Sequence, residues 1–264
     1  MAHTRLPAVA GLFYPDDPKE LLLTVDTLLD QADIHEASEP AARAIIVPHA
    51  GYIYSGPIAA TVYRQLRATR QNIKRVAVFG PSHGLAFTGL AVPDCDTFTT
   101  PLGEIPVDKE AIELLLQLPQ VQRLEQAHSQ EHSLEVQLPF LQRVLDDFTL
   151  IPVVVGDAST RDVAAAINAI WNDSNTLIVI SSDLSHYHDY ATAQQMDQRT
   201  SRAIETLHDE QIGYEDACGR NPVKGLLEVA RQRGLTAHTI DLRNSGDTAG
   251  SKDSVVGYGA YVFH

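Results

Sequence analysis

Four short and almost unbroken apolar runs set the tightest limit on how this chain can fold: Ala44-Ile-Ile-Val47, Arg75-Val-Ala-Val-Phe79, Leu150-Ile-Pro-Val-Val-Val155 and Thr176-Leu-Ile-Val-Ile180. Each is rich in β-branched residues, too short for a buried helix, and ended by a Pro, a Gly or a pair of serines. A strand with one wet face alternates polar and apolar residues, whereas a continuous run marks a strand covered on both faces by helices. Helical spacing of apolar residues falls between the runs, over 58–66, 108–118, 133–145, 162–171, 192–207 and 222–233, the last with Asn221 as cap and Pro222 as first helical residue. The alternating, aromatic stretch 254–263 predicts one more strand of the same sheet. The expected fold is therefore α/β, a single domain over residues 1–264 with a central, largely parallel or mixed sheet flanked by helices. The most linker-like segment, 35–43, lies too near the start to divide two domains.

Charge and composition narrow the function classes. The net charge of −14 is spread along the chain, which disfavours a phosphate-backbone or anionic membrane partner, because both need clustered Lys and Arg. No nucleic acid and no membrane are expected as partners. No run of about 18 apolar residues predicts a membrane span, and residues 1–5 show no apolar leader, so the chain reads as cytoplasmic. The 2 cysteines, Cys95 and Cys218, form no CxxC pair. They argue against a disulfide framework or thiolate zinc site and are read as spectators without a nearby base.

In open α/β sheets ligands bind outside the carboxyl ends of the strands. Three of those ends here run into a histidine: Pro48-His49-Ala50-Gly51, Gly80-Pro81-Ser82-His83 and Ser181-Ser182-Asp183-Leu184-Ser185-His186. One such histidine is ordinarily a capping or surface residue. Three on one sheet point to a shared cleft, and neutral imidazole is the commonest transition-metal ligand. Asp183 and His186, three residues apart, suit ligands, orienting groups or proton carriers.

Two further clusters have more than one reading. His128-Ser-Gln-Glu131-His132 spells H-x-x-E-H, an inverted zinc-peptidase signature. The same residues also suit a helix start capped by Ser129, or a lining for the main pocket. Asn244-Ser-Gly-Asp247-Thr-Ala-Gly250 reads as a turn unless it folds over the cleft.

In chain order, Ala10-Gly-Leu-Phe-Tyr-Pro15, Val47-Pro-His-Ala-Gly-Tyr-Ile-Tyr-Ser-Gly56, Gly80-Pro-Ser-His83, Glu131-His-Ser-Leu-Glu135, Ser181-Ser-Asp-Leu-Ser-His186 and Asn244-Ser-Gly-Asp247 resemble the Memo family from about residue 5 to 262. Its prokaryotic members are called AmmeMemoRadiSam system protein B, and its animal founder is a mediator of ErbB2-driven cell motility. The resemblance implies a fold similar to the class III extradiol dioxygenases, which are non-haem iron enzymes. It implies metal-site roles for His49 and His83, and places Asp183, His186 and Tyr54 beside the metal. The animal proteins complete the site with a cysteine before the last strand. This chain has none there, and Asp247 is the nearest counterpart.

Two imidazoles and a carboxylate form the facial triad of non-haem Fe(II) sites, so the expected cofactor is a divalent metal, Fe(II) before copper or zinc. The expected metal ligands are His49, His83 and Asp247, with His186, Asp183, His132 and Tyr54 as catalytic residues. The function this implies is a dioxygenase-like, metal-dependent oxidoreductase on a small molecule. One alternative is a non-catalytic module that binds a peptide or other ligand in the cleft and works with a radical-SAM enzyme and a small AMMECR-type partner. Another is the zinc peptidase.

Overall fold

The computed structural model describes residues 3–32, 42–171 and 174–264. All but the end of the linker-like segment 35–43 lies outside them. The strands are β1 (Thr4–Arg5), β2 (Ala44–Val47), β3 (Arg75–Pro81), β4 (Leu90–Val92), β5 (Thr97–Thr100), β6 (Gly103–Pro106), β7 (Val121–Arg123), β8 (Thr149–Val155), β9 (Thr176–Ser181), β10 (His186–His188), β11 (Ala237–Asn244) and β12 (Val255–Phe263). The helices are α1 (Pro18–Gln31), α2 (Tyr52–Leu66), α3 (Lys109–Leu115), α4 (Glu125–Ser129), α5 (Leu138–Val144), α6 (Thr160–Ile170), α7 (Tyr190–Glu205) and α8 (Arg220–Arg233).

Nine strands form one mixed sheet in the order β10-β12-β2-β9-β3-β8-β4-β7, with β11 also paired to β12. Its centre, β2-β9-β3-β8, is parallel throughout. Those are the four continuous runs, and apart from Arg75 and Thr149 at their starts every residue in them is buried. The two flanks are antiparallel, through β12 on β2 and β4 on β8. A separate three-stranded sheet, β1-β5-β6, carries the first residues of the chain. The α/β expectation therefore holds, with a mixed sheet.

Helix boundaries depart from the sequence pattern where local chemistry intervenes. α2 starts at Tyr52 and keeps Pro57 inside it, where the missing N–H costs only a bond to the solvent-exposed turn at Ile53. The expected helix over 133–145 is split into a 3-10 turn, Glu135–Gln137, and α5, because Pro139 is tolerated only in the first turn of a helix. α8 begins at Arg220 with Gly219 as its cap, so Asn221 is already helical. α6 begins as a capping box: the Ser159 hydroxyl accepts from the Asp162 N–H while the Asp162 carboxylate accepts from the Ser159 N–H. Among the described residues no helix is long and apolar enough to cross a membrane.

Candidate metal centre

Because β2, β9 and β3 are adjacent and parallel, the residues that follow them emerge side by side at one edge of the sheet. His49 follows β2, His83 follows β3, and β9 between them ends in Ser181 and leads to Asp183. His132 reaches the same place from the segment after α4. That segment is fastened across the strand ends by Ser133, whose hydroxyl donates to the Pro81 carbonyl at 2.9 Å. The approach requires a glycine on β3, since a Cβ at Gly80 would sit 2.6 Å from the Ser133 hydroxyl.

His49, His83 and His132 bring one ring nitrogen each to within 4.8 Å of the others, the only such group of His, Cys, Asp or Glu ligands among the described residues. Their ring centroids are 5.1 Å apart for His49–His83, 5.4 Å for His49–His132 and 4.4 Å for His83–His132. His49 is buried, His132 half-buried and His83 on the rim.

The hydrogen bonds decide which nitrogen faces the centre. The Gln137 amide donates from Nε2 to the Pro48 carbonyl at 2.9 Å and to Ser181 Oγ at 2.8 Å, while its Oε1 accepts from Tyr63 at 2.8 Å. Ser181 Oγ gives its single proton to the Ser133 carbonyl at 2.6 Å. Towards His49 Nδ1, 2.9 Å away, the serine can then only accept. His49 therefore carries its proton on Nδ1 and its lone pair on Nε2. His83 Nδ1 lies 2.9 Å from Glu131 Oε1, a pure acceptor when ionised, which fixes the same tautomer. His132 Nδ1 is 3.4 Å from that same oxygen. His49 and His83 thus have Nδ1 turned to a protein acceptor, the pattern of histidines oriented for a metal, while His132 makes only the longer approach to Glu131.

Electrostatics favour the neutral, ligating form. Burial pushes His49 well below the ordinary histidine value, helped by the neighbouring His83, His132 and His186. His132 is lowered by burial and by His83. Burial opposes the charge on Glu131, yet hydrogen bonds from the His83 ring and from the backbone N–H groups of His83 and Ser133, with the charge His83 carries when protonated, bring its carboxyl down to about 2. The buried Asp183 is pushed the other way, to about 6, although its Oδ1 accepts from the His49 N–H at 2.7 Å.

The structure does not bring Asp247, expected as third ligand, to this cluster. Its carboxylate caps its own 3-10 turn by accepting from the Asn244 N–H at 3.0 Å, and it accepts from the Tyr190 hydroxyl at 2.6 Å on an exposed surface. The third corner belongs to His132, expected only as a catalytic group. Tyr54 stands on the first turn of α2 with its ring against Gly51, outside the residues that line the neighbouring pocket. His186 does line that pocket, with Nδ1 2.8 Å from the Leu184 carbonyl. His128 turns away: it is buried with Nε2 3.0 Å from the Ala91 carbonyl, so the H-x-x-E-H pair does not share a site. Ser129 ends helix α4 and caps no helix start.

Cys218, read as a spectator, proves to be a neighbour of the centre. Its Sγ lies 3.4 Å from His49 Nε2, and burial, then the nearby Asp183, push its thiol up to about 12. Nothing in the local sequence marks it, because the contact joins residues 169 positions apart in the chain. Cys95 is buried in the core. Beside the centre opens a cavity of about 880 Å³ whose lining includes His83, Cys218, His186, Tyr187, Tyr214 and Arg220.

Comparison with known proteins points to a family. Residues 5–262 match the model of the Memo-like proteins. A "MEMO1 family protein" of Aquifex aeolicus is 37% identical over 270 residues, covering 98% of each chain. A "MEMO1 family protein" of Saccharolobus solfataricus is 36% identical, over 98% of this chain and 99% of its own length. An uncharacterised Escherichia coli K12 protein of known structure overlays 82% of this chain and 98% of its own at 13% identity, with a TM-score of 0.48.

Proposed function

The chain belongs to the Memo family, and from that premise we propose that it is a metal-dependent oxidoreductase acting on a small molecule in the pocket beside His83. The observation that carries the reading is the convergence of one ring nitrogen from each of three imidazoles, two of them with Nδ1 held by Ser181 and Glu131. The donor set fits a divalent transition metal held by His49, His83 and His132. Three neutral nitrogens suit iron, copper and zinc alike, so without Asp247 the carboxylate argument for Fe(II) falls away. The oxidoreductase reading requires a redox-active ion, Fe(II) or copper. When bound, such an ion supplies Lewis-acid polarisation of a substrate oxygen and a route for electrons.

The remaining work belongs to the chain. Glu131 holds His83 in register by accepting from its Nδ1. Asp183 pins the turn that carries His49 through the His49 N–H. His186 keeps its Nδ1 proton on the Leu184 carbonyl, which leaves Nε2 as a proton acceptor for a group bound in the pocket.

The test is metal analysis of the untagged full chain, followed by oxygen uptake with catechol-type substrates after anaerobic loading with Fe(II). His83→Ala should lose both metal and turnover, whereas His186→Gln should keep the metal and lose about 10²–10⁴-fold in rate. Turnover that survives His83→Ala would refute the reading, as would purified protein carrying only zinc and consuming no oxygen.

A further inference from the structure

The pocket has one cationic wall. Arg220, the first residue of α8, stacks its guanidinium on the Tyr214 ring at 4.5 Å. In this acidic chain arginines such as Arg5, Arg75, Arg143 and Arg243 sit against carboxylates. Among the described residues no carboxylate lies within ion-pair reach of Arg220, although Asp157 and Glu215 line the same cavity. Arg220 is the only arginine or lysine in that lining, and so the one group there with a fixed positive charge to pair with an anion. Stacking pre-orders the guanidinium fork, which reduces the entropy lost when it grips a planar two-oxygen group.

Position ties this wall to the metal centre. Arg220 follows two residues after Cys218, whose sulfur lies 3.4 Å from His49, so the two Cα atoms are at most about 7.6 Å apart. The Asn221 side chain pins the start of α8 by donating to the Gly156 carbonyl at 3.1 Å. Two exposed aromatic rings flank the space, Tyr214 and Tyr187, and Tyr187 is held at φ +62°, a left-handed conformation costly for a bulky residue.

We propose that the pocket takes a small organic acid with a planar ring, its carboxylate gripped by Arg220 and its far end directed to the three-histidine centre. The inference rests on the proposed function, of which it names the substrate class. Arg220 sets specificity and takes no part in the chemistry. An isostere lacking the charge leaves the guanidinium facing an uncharged amide, so discrimination should be about tenfold or more.

The experiment is calorimetric titration of the full chain, metal-free and metal-loaded, with 4-hydroxybenzoate and with the neutral 4-hydroxybenzamide. Wild-type protein should bind the acid about tenfold or more tightly in both states, because a carboxylate held by the metal alone would lose its preference in the metal-free protein. Arg220→Gln should abolish the preference with metal content and melting temperature unchanged. Arg220→Lys, which keeps the charge and loses the fork and the stack, should reduce it, and decides the matter if the glutamine variant does not fold. Equal affinities, no binding of the acid, or a preference untouched by these substitutions would overturn the proposal. Metal-free wild-type protein separates the two readings. A chain that binds no metal and still prefers the acid through Arg220 refutes the metal reading alone, and a metal-loaded chain without the preference refutes this one alone.

Discussion

Glu131 is the residue through which the site can be probed most finely, since its carboxylate holds the His83 ring and lies 3.4 Å from His132 Nδ1. Glu131→Gln should weaken metal binding about 10–100-fold, read by competition with a chelator, because His83 loses its orienting acceptor while the ligands remain. The same substitution has a pH signature in the metal-free protein. The Glu131 carboxyl is held at about 2, below its ordinary 4.5, so its contribution to stability is fully present above about pH 4.5 and is lost as the pH falls towards 2. The gap between wild type and Glu131→Gln in urea denaturation should therefore be widest near neutrality and close across that window. Asp183, raised to about 6, acts in the opposite sense: its ionisation costs stability as pH rises from about 4 to 6. Asp247→Asn should leave metal binding unchanged, since that side chain is spent on Asn244 and Tyr190. His49 and His83 were legible in the sequence because they follow strands whose apolar continuity announces them. His132 was legible as a residue of the pocket but not as a ligand, and Cys218 was not legible at all, because their exact positions follow from long-range docking, such as Ser133 on Pro81, that leaves no periodic trace.

At the scale of elements, the sheet is completed by helices that pack closely enough to demand particular side chains. α6 and α8 meet at Gly225, where a Cβ would stand 2.3 Å from Val163 Cγ1. Gly225→Ala should destabilise the protein by about 1–3 kcal/mol in chemical denaturation through overpacking, and the added substitution Val163→Ala should recover part of the loss. The four central strands could be read directly, since burial on both faces imposes an unbroken apolar run. β10 and β11 could not. β10 is three residues long, and most of β11 is only half-buried, so neither shows a clean alternation. α1 also went unread, although Asp17 and Pro18 spell its start and the Asp17 carboxylate accepts from the Lys19 and Glu20 N–H groups. The split of 133–145 shows a turn chemistry, Pro139, overriding a helical period that was otherwise intact.

For the molecule as a whole, the first residues act as a clasp over the site. Glu135, fully buried, accepts from Arg5 at 2.8 Å, from the Tyr14 hydroxyl at 2.6 Å and from the backbone N–H groups of Ala8 and Val9. Phe13, on the same segment, packs its ring 4.8 Å from His132. Glu135→Gln should cost about 3–5 kcal/mol of global stability, measured by denaturant unfolding, because it strands the buried Arg5 charge. Fold and site are thus joined through the segment that delivers His132, between this clasp and the ends of the parallel strands. On the proposed reading three histidines, and no carboxylate, hold the metal, and X-ray absorption at the metal edge of untagged protein loaded with one ion can test this. A first shell with scattering from three imidazoles is expected, with loss of the bound metal in His132→Ala. Full metal loading retained in His132→Ala, or a shell with two imidazoles whose remaining ligand disappears in Asp247→Asn, would contradict it.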